Sequence, residues 1–180
     1  SDGGLVVVDV VEGICVQTHA VLRQAWEERL KTCLVFNKLD RLIIEMGYTP
    51  LEAYERMRNL LHEVNGVMSA FVSEKFISQA DTLLATADAF GGDSAAEGEE
   101  TLPEDAELED IVTDAEHSDD AFSVDRGNVA FACAADGWAF RVDLFAEMYA
   151  SKLGCSSKTL QRGLWGDWFY HPKSKKIVGK

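Results

Sequence analysis

Positions 33–40 carry the sequence Cys-Leu-Val-Phe-Asn-Lys-Leu-Asp, an apolar run that passes directly into a polar tetrapeptide. The apolar part, residues 33–36, predicts a strand buried on both faces, which is typical of a parallel sheet. In an open α/β sheet, ligands bind beyond the carboxyl ends of the strands. Because Asn37, Lys38 and Asp40 follow such a strand directly, the stretch indicates both a fold class and the place of a binding site.

Strands and helices alternate on either side of this stretch. Residues 5–10 and 128–133 are further apolar strand candidates, and residues 168–170 and 176–178 flank His-Pro-Lys-Ser as a hairpin would. With a helix after each of the three apolar strands, the order is that of a doubly wound α/β fold.

The three helices have recognisable ends. Thr18 is predicted to cap the first, and residues 49–52, Thr-Pro-Leu-Glu, form a capping box with Pro at the first helical position of the second. The third is predicted over residues 143–153, with Gly154 as its terminator.

The negative charge of the protein is concentrated in one segment. There are 31 acidic and 17 basic residues, a formal net charge of −14, and fourteen of the acids lie between Asp88 and Asp120, a stretch without Lys or Arg. Residues 85–122 contain few large apolar side chains and cannot bury enough surface to offset their ordering entropy, so we expect a mostly disordered insertion. Its role stays open between a solvated loop and a docking or spacing segment.

The composition also suggests domain limits. We expect one domain split into residues 1–84 and 123–163 by the insertion at 85–122, and a hairpin at 164–180 that leads to a further domain. The charge excludes a basic nucleic-acid-coating domain, although residues 152–180 carry seven bases and one acid. No apolar run approaches the roughly 18 residues of a membrane span, so a soluble chain is expected, a piece of something longer.

The tetrapeptide at positions 37–40 has the chemistry of a guanine reader. The Asp40 carboxylate can accept guanine N1–H and the N2 amino group together, whereas adenine offers neither donor and would leave the charge unpaired. The Asn37 amide can tie base N7 to the surrounding loops, and the Lys38 stem can lie over the ring. The alternative is a polar turn in which Asp40 makes only a local hydrogen bond.

A turn of small residues, Cys133-Ala134-Ala135, ends the third strand and is included in the predicted site. Here the backbone N–H of Ala134 is predicted to point at guanine O6.

Catalytic and metal-binding residues are not predicted. The sequence has no G-x-x-x-x-G-K-[ST] phosphate loop and no D-x-x-G followed by His, so the segment alone is not expected to hydrolyse GTP. The four His residues are dispersed, and the four Cys residues form no CxxC pair, which favours packed, reduced thiols.

Several stretches together carry a family resemblance. Residues 4–18, Gly-Leu-Val-Val-Val-Asp-Val-Val-Glu-Gly-Ile-Cys-Val-Gln-Thr, and residues 37–41, Asn-Lys-Leu-Asp-Arg, resemble the strand-to-helix signature and guanine motif of translational GTPases. Residues 127–131 with 137–140 are similar to the fifth GTPase motif of the eukaryotic elongation factor two class. The resemblance implies a partial doubly wound P-loop-type GTPase domain, without its N-terminal phosphate-binding half and with a long acidic insertion.

Two features resemble the branch of elongation factor-like GTPases that acts in large ribosomal subunit maturation. One is the place of the acidic insertion, and the other is the sequence Cys-Ala-Ala-Asp-Gly-Trp at 133–138, where the translocases have Ser-Gly-Leu-His-Gly-Trp. Cys133 stands where Ser is usual, so a hydroxyl contact at that position stays open.

The resemblance implies GTP as ligand, with Mg²⁺ only when the N-terminal half is present, and a monomeric cytoplasmic factor. The implied partners are the large ribosomal subunit, the Shwachman-Bodian-Diamond syndrome protein and an anti-association initiation factor that is released. The alternatives are an elongation-factor translocase and an acidic module that binds a ribosomal partner without catalysis.

Overall fold

The parallel sheet predicted around residues 33–36 is present in the computed structural model, which describes residues 3–90, 121–171 and 176–179. Strands β1 (Gly3–Asp9), β2 (Lys31–Asn37) and β3 (Val129–Cys133) lie side by side and parallel. A fourth strand, β4 (Trp138–Phe140), pairs antiparallel with β3 at the edge. The predicted mixed α/β fold is confirmed, and its antiparallel edge strand is an addition.

Strand β4 follows β3 through a tight turn. Cys133 is the register partner of Trp138, so residues 134–137 form the turn, and Gly137 adopts a left-handed φ of 69° that Gly tolerates best. Three residues are too few to show the alternation by which a strand is detected in a sequence.

Five helices occur among the described residues. They are α1 (Val16–Glu27), α2 (Leu39–Ile44), α3 (Pro50–Phe90), α4 (Val142–Leu153) and α5 (Ser157–Leu164). The two short ones, α2 and α5, were not predicted.

The predicted cap of α1 is wrong. The helix begins at Val16 with Cys15 as its N-cap, and Thr18 is the third helical residue. The Thr18 hydroxyl accepts the Cys15 backbone N–H at 3.4 Å and lies 3.3 Å from the Cys15 Sγ. Thr18 therefore occupies the N3 position of a capping box, which is usually taken by Glu or Gln. The helix begins nearly one turn earlier than predicted.

The other predicted helix ends are confirmed. At α3 the Thr49 backbone N–H donates to Glu52 Oε2 at 2.8 Å, the Glu52 N–H donates to Thr49 Oγ1 at 3.4 Å, and Pro50 is the first helical residue. Gly154 ends α4 with a left-handed φ of 67°.

The core lies around the three parallel strands. Its fully buried side chains come from strands and helices alike and include Val8, Leu22, Leu34, Phe36, Leu60, Val64, Val129 and Cys133. The predicted burial of β2 on both faces is only partly met, since Leu34 and Phe36 are fully buried while Cys33 and Val35 are partly exposed. On β1, Leu5 and Val7 are 71% and 58% exposed, so that strand is buried on one face only.

The chain divides into two compact units. The first comprises residues 1–64 and 122–180 and contains the sheet, and the second comprises residues 65–121. Helix α3 continues to Phe90, so the first six residues of the predicted insertion, 85–90, are helical. Phe122, the last residue of the predicted insertion, is only 2% exposed. The predicted disorder otherwise concerns residues 91–120, which lie outside the described residues.

The C-terminal hairpin is confirmed as a separate two-stranded sheet. Strand β5 (Trp168–His171) pairs antiparallel with β6 (Lys176–Gly179), and Trp168 is opposite Gly179. No helix in the described ranges combines the length and apolarity that crossing a membrane requires.

Candidate guanine-binding site

Asn37 joins the two motifs that the sequence places in the site. It is the last residue of β2, and the neighbouring parallel strand β3 ends at Cys133, so both following loops leave the same edge of the sheet. The Asn37 Oδ1 accepts the backbone N–H of Lys38 at 2.8 Å and that of Ala134, 97 positions away, at 3.0 Å. The side chain thus fixes the small-residue turn beside the tetrapeptide, and its amide nitrogen is the group left to donate.

Asp40 and Cys133 form the second link between the motifs. The Cys133 Sγ is 3.1 Å from Asp40 Oδ1 and 3.3 Å from Asp136 Oδ2, while the Asp136 backbone N–H lies 3.4 Å from the sulfur. A thiol has one proton, so it donates to one carboxylate at a time. Burial raises the pKa of the Cys133 thiol, assisted by the two carboxylates, so it stays protonated and able to donate.

The thiol of Cys133 is a buried donor to the Asp40 carboxylate. Cys133 is completely buried, whereas Asp40 is half-buried and reaches toward solvent. A hydrogen bond from a fixed donor restricts the Asp40 carboxylate to one orientation and still leaves lone pairs on both oxygens.

Ala134 and Ala135 lie in the exposed turn that follows. The Ala134 N–H, predicted to donate to guanine O6, here donates to Asn37 Oδ1. The exposed turn contributes backbone groups and no bulky side chain beside Asp40 and Asn37.

The arrangement of these motifs agrees with a match to known proteins. The family model described as the elongation factor Tu GTP binding domain matches residues 1–154. The chain belongs to this family. The resemblance to translational GTPases is thereby confirmed.

The relatives of this GTP-binding domain are named as elongation factor-like GTPases or as ribosome assembly proteins. The chain is 40% identical over 177 residues to elongation factor-like GTPase 1 of Mus musculus and of Homo sapiens, an alignment covering 98% of this chain and 15% of either relative. It is 41% identical to ribosome assembly protein 1 of Saccharomyces cerevisiae, over 98% of this chain and 14% of that protein. The chain therefore spans about one seventh of the length of the curated relatives it matches.

Lys38 has an unusual backbone in this GTP-binding domain. Its φ of 64° and ψ of 37° are left-handed, a conformation that costs a residue with a Cβ about 1 kcal/mol or more. Its Nζ is 2.7 Å from Asp9 Oδ2, and the hydrogen bond with this carboxylate raises the pKa of Lys38. The ion pair holds the lysine stem across the end of β2 and offsets part of the backbone strain.

Asp9 lies beside these residues at the carboxyl end of β1, and the sequence analysis did not predict it as a site residue. Its carboxylate accepts the N–H groups of Val11 at 2.9 Å and Glu12 at 3.4 Å, and Arg41 Nη1 lies 3.4 Å from Oδ2. Burial acts to raise the pKa of Asp9, but the hydrogen bonds from Lys38 and the two backbone N–H groups outweigh it and lower the pKa. The sequence feature that could have indicated Asp9 is its position as an acid at the carboxyl end of a strand that neighbours the tetrapeptide's strand in the sheet.

The loop after β1 is held by a second cation. Arg56 of α3 donates to the carbonyl oxygens of Val10 at 3.1 Å and Val11 at 3.0 Å. Gly13, with a left-handed φ of 81°, passes so close that a Cβ there would be 3.0 Å from Arg56 Nη2 and 3.2 Å from Leu60 Cδ2. The loop after β1 is therefore held by Arg56 on one side and by Asp9 on the other, and Asp9 also contacts Lys38 of the guanine motif.

The described residues contain no group of three His, Cys, Asp or Glu side chains that could hold a metal ion. Nor does the sequence contain a phosphate-cradling loop.

Proposed function

We propose that this chain is the guanine-selecting part of a GTP-binding and GTP-hydrolysing, ribosome-associated factor. The observation that carries the proposal is the pair of hydrogen bonds that joins the guanine motif to the turn after β3, Asn37 Oδ1 with Ala134 N–H and Cys133 Sγ with Asp40 Oδ1. These bonds hold a carboxylate, an amide and a backbone donor at one edge of the sheet, where α/β proteins bind nucleotides.

Asp40 selects guanine by accepting two donors at once. Guanine N1–H and its N2 amino group lie side by side, and a carboxylate has about four lone-pair positions, so both bonds are compatible with the one from Cys133. Adenine presents an acceptor at N1 and no amino group at C2, which leaves the carboxylate desolvated and unpaired. Sites built in this way discriminate by roughly 10⁴ or more.

Asn37 and Ala134 read the opposite edge of the base. Guanine N7 and O6 are neighbouring acceptors, so the Asn37 amide nitrogen donates to N7 while the Ala134 N–H is shared between Asn37 Oδ1 and O6. Such three-centre hydrogen bonds are common in proteins. Lys38, held at its Nζ by Asp9, covers one face of the ring with its aliphatic stem.

The complete protein supplies the phosphate chemistry. The chain matches about 15% of the length of its relatives and has no phosphate-loop sequence, so this segment alone is inactive and represents a GTPase domain without its phosphate-binding half. When bound, Mg²⁺ neutralises the charge of the nucleotide phosphates. The described residues do not fit such an ion, and no step through it is assigned to them.

The relatives named for ribosome assembly support a cellular role on the ribosome. We place the complete protein on the large ribosomal subunit in the cytoplasm, as a monomer that releases an anti-association initiation factor together with the Shwachman-Bodian-Diamond syndrome protein. The acidic segment predicted at residues 85–122 is proposed as an insertion in its GTPase domain, with its first six residues belonging to α3.

Nucleotide displacement tests the base assignment. A fluorescent GDP analogue bound to the complete protein is titrated with unlabelled GDP and with ADP. We expect ADP to displace it at least a hundredfold less effectively, because Asp40 then has no donor. Equal displacement by both nucleotides would contradict a guanine site.

Two ribosomal assays separate the proposed role from that of a translocase. The complete protein with GTP is expected to release the anti-association factor from large subunits and not to advance peptidyl-tRNA on assembled ribosomes. Translocation without factor release would favour the elongation-factor alternative. The net charge of −14 favours a third candidate, an acidic module that docks a basic ribosomal partner, which a deletion described below distinguishes.

A further inference from the structure

A cleft beside α5 has no part in the guanine site. Its volume is about 690 Å³, and a hollow of about 310 Å³ adjoins it. Among the described residues, its lining includes Asp125, Lys158, Gln161, Arg162, Trp165 and Trp168. Asp125 precedes β3, whereas the guanine motif follows the carboxyl ends of β2 and β3, so the cleft opens toward the other end of the strands. Its size is that of a pocket for a small ligand or for one unit of a polymer.

Two cations line this cleft, and the acid that shares the lining, Asp125, forms an ion pair with neither of them. Lys158 and Arg162 are one helical turn apart on α5, and neither makes an ion pair with any residue that the structure describes. By contrast, Arg58 nearby in the same unit pairs with Asp167 at 3.6 Å. Unpaired neighbouring cations attract an anion with two charges spaced along a chain.

Trp168 is placed as an exposed platform. The Trp168 side chain is 47% exposed although its ring packs against the backbone of two glycines, Gly166 and Gly179. A Cβ at Gly166 would lie 3.1 Å from Trp168 Cδ1, and a Cβ at Gly179 would lie 3.0 Å from its Cζ3, so both ends of the indole lie against backbone that no side chain covers. Gly166 also has a φ of 106°, which other residues rarely adopt. The ring is therefore fixed in position while nearly half of its surface meets solvent.

Trp165 anchors the cleft to the core. Its ring centroid is 5.1 Å from that of Tyr54 and 5.5 Å from that of Phe131 on β3. With one tryptophan packed into the core and the other exposed, the cleft has a rigid apolar wall beside its two cations.

We propose that this cleft binds single-stranded RNA. One base stacks on Trp168, and the flanking phosphates contact Lys158 and Arg162. Aromatic platforms combined with cations are the usual means of holding single strands.

Asp125 favours RNA over an acidic peptide as the occupant. The acidic side chains of such a peptide carry only acceptors, and those that approach Asp125 would be repelled by this exposed carboxylate, which lines the same cleft. A nucleotide brings phosphates for the cations together with donors, the ribose 2′-hydroxyl or a base amino group, for Asp125.

Fluorescence anisotropy with a labelled 12-nucleotide RNA of mixed sequence tests the stacking contact. We expect Trp168→Leu to weaken binding about fivefold or more. Trp138→Leu is the matched control, since Trp138 is 40% exposed and lies outside the cleft, and it should bind as the wild-type protein does. The acidic segment repels RNA equally in all variants, so the ratio of affinities reports on the cleft alone. Equal losses in the two variants, or no saturable binding by the wild-type protein, would overturn the proposal.

The salt dependence of the affinity tests the cations. Replacing Lys158 and Arg162 by Gln should lower the slope of log affinity against log salt by about 1.4, because each phosphate contact on a single strand contributes about 0.7. The control changes Lys31 and Lys152 to Gln, which removes the same charge elsewhere. Equal slopes in the two double variants would contradict the assignment.

A measurement on the unaltered protein avoids any effect of the substitutions on folding. RNA containing 4-thiouridine is irradiated with the protein, and the crosslinked peptide is sequenced by mass spectrometry. Crosslinks at Trp168 are expected. Crosslinks confined to other residues, or displacement of the RNA by poly-glutamate at equal charge concentration, would show that the cleft has another occupant.

Discussion

Cys133 and Asp40 lie 93 positions apart in the sequence and meet through one hydrogen bond of 3.1 Å. The carboxylate reads the base in our proposal, and the thiol determines its orientation. Sulfur is a weaker donor than a hydroxyl, but burial keeps the proton in place by raising the thiol pKa. The Cys133 thiol is therefore able to hold this contact as a protonated donor.

Removal of this donor should weaken nucleotide binding. In the complete protein, Cys133→Ala is expected to lower the affinity for GDP about threefold to tenfold, because Asp40 loses its orienting hydrogen bond. Cys133→Ser keeps a donor and should bind GDP as well as the wild-type protein. Displacement of a fluorescent GDP analogue measures both. Unchanged affinity in Cys133→Ala would mean that the thiol does not position Asp40.

Asp9 should make stability depend on pH. Its pKa in the folded protein is lowered, so its contribution is complete above about pH 4 and is lost as the pH falls through the lowered value. We expect Asp9→Asn to reduce the free energy of unfolding by about 1–3 kcal/mol at pH 7. The difference between variant and wild type should shrink below pH 4. Urea unfolding at several pH values measures it, and a difference independent of pH would contradict the ionic contact.

The residue types at the site were predictable, but their network was not. Asn37, Lys38 and Asp40 could be predicted because a polar tetrapeptide after a buried strand is visible in the sequence. Asp9 was missed because it stands inside an apolar run, and its proximity to Lys38 depends on the register of β1 with β2. Register between strands is a property of the folded sheet and not of either strand alone.

At the scale of the elements, helix α3 holds the loop after β1 in place. Arg56 on α3 binds two carbonyl groups of that loop, and the loop in turn carries the backbone groups that surround Asp9. A helix that is distant in sequence thereby supports the guanine motif.

Two glycine substitutions separate backbone strain from crowding: Gly13 lies in this loop, and Gly47 lies in the turn between α2 and α3. Gly13 and Gly47 both have positive φ, 81° and 65°, but only Gly13 is crowded, by Arg56 and Leu60. Gly47→Ala should cost about 1–2 kcal/mol of unfolding free energy from strain alone. Gly13→Ala should cost more, because Arg56 or Leu60 must also move, and chemical denaturation measures both. Equal costs would show that the close approach at Gly13 is not rigid.

Long elements with end signals were predictable, and short ones were not. The strand cores, the capping box at Thr49 and the terminator Gly154 were all found, since each has a strong local pattern. Helix α2 has six residues and β4 has three, too few for a period to show. At α1 the prediction failed because Thr is preferred at N-caps, whereas here Cys15 is the N-cap and Thr18, at position N3, accepts its backbone N–H.

At the scale of the whole molecule, the charge is unevenly distributed. Fourteen of the 31 acids lie within Asp88–Asp120, while the rest of the chain is neutral. Because α3 extends to Phe90, a deletion that tests this segment should begin after that residue.

Deletion of residues 91–120 should change association with ribosomal subunits through electrostatics. We expect the variant to bind large subunits more tightly at low salt, because repulsion from RNA is reduced, and equally well near 1 M salt, where the screening length is about 3 Å. Sedimentation with purified subunits measures the affinity. Weaker binding after the deletion would instead support the acidic docking module, and no change at any salt would indicate a passive loop.

The most direct test of a guanine-selecting site is a change of base preference in the complete protein. Xanthine has an acceptor at O2 where guanine has an amino donor, so Asp40→Asn should lose affinity for GDP and gain affinity for xanthosine diphosphate. We expect the preference to shift by at least a hundredfold, measured by displacement of a fluorescent nucleotide. Cys133→Ser serves as a control that should keep the guanine preference. If Asp40→Asn retains the nucleotide preference of the wild-type protein, Asp40 does not read the base and the proposed function is wrong.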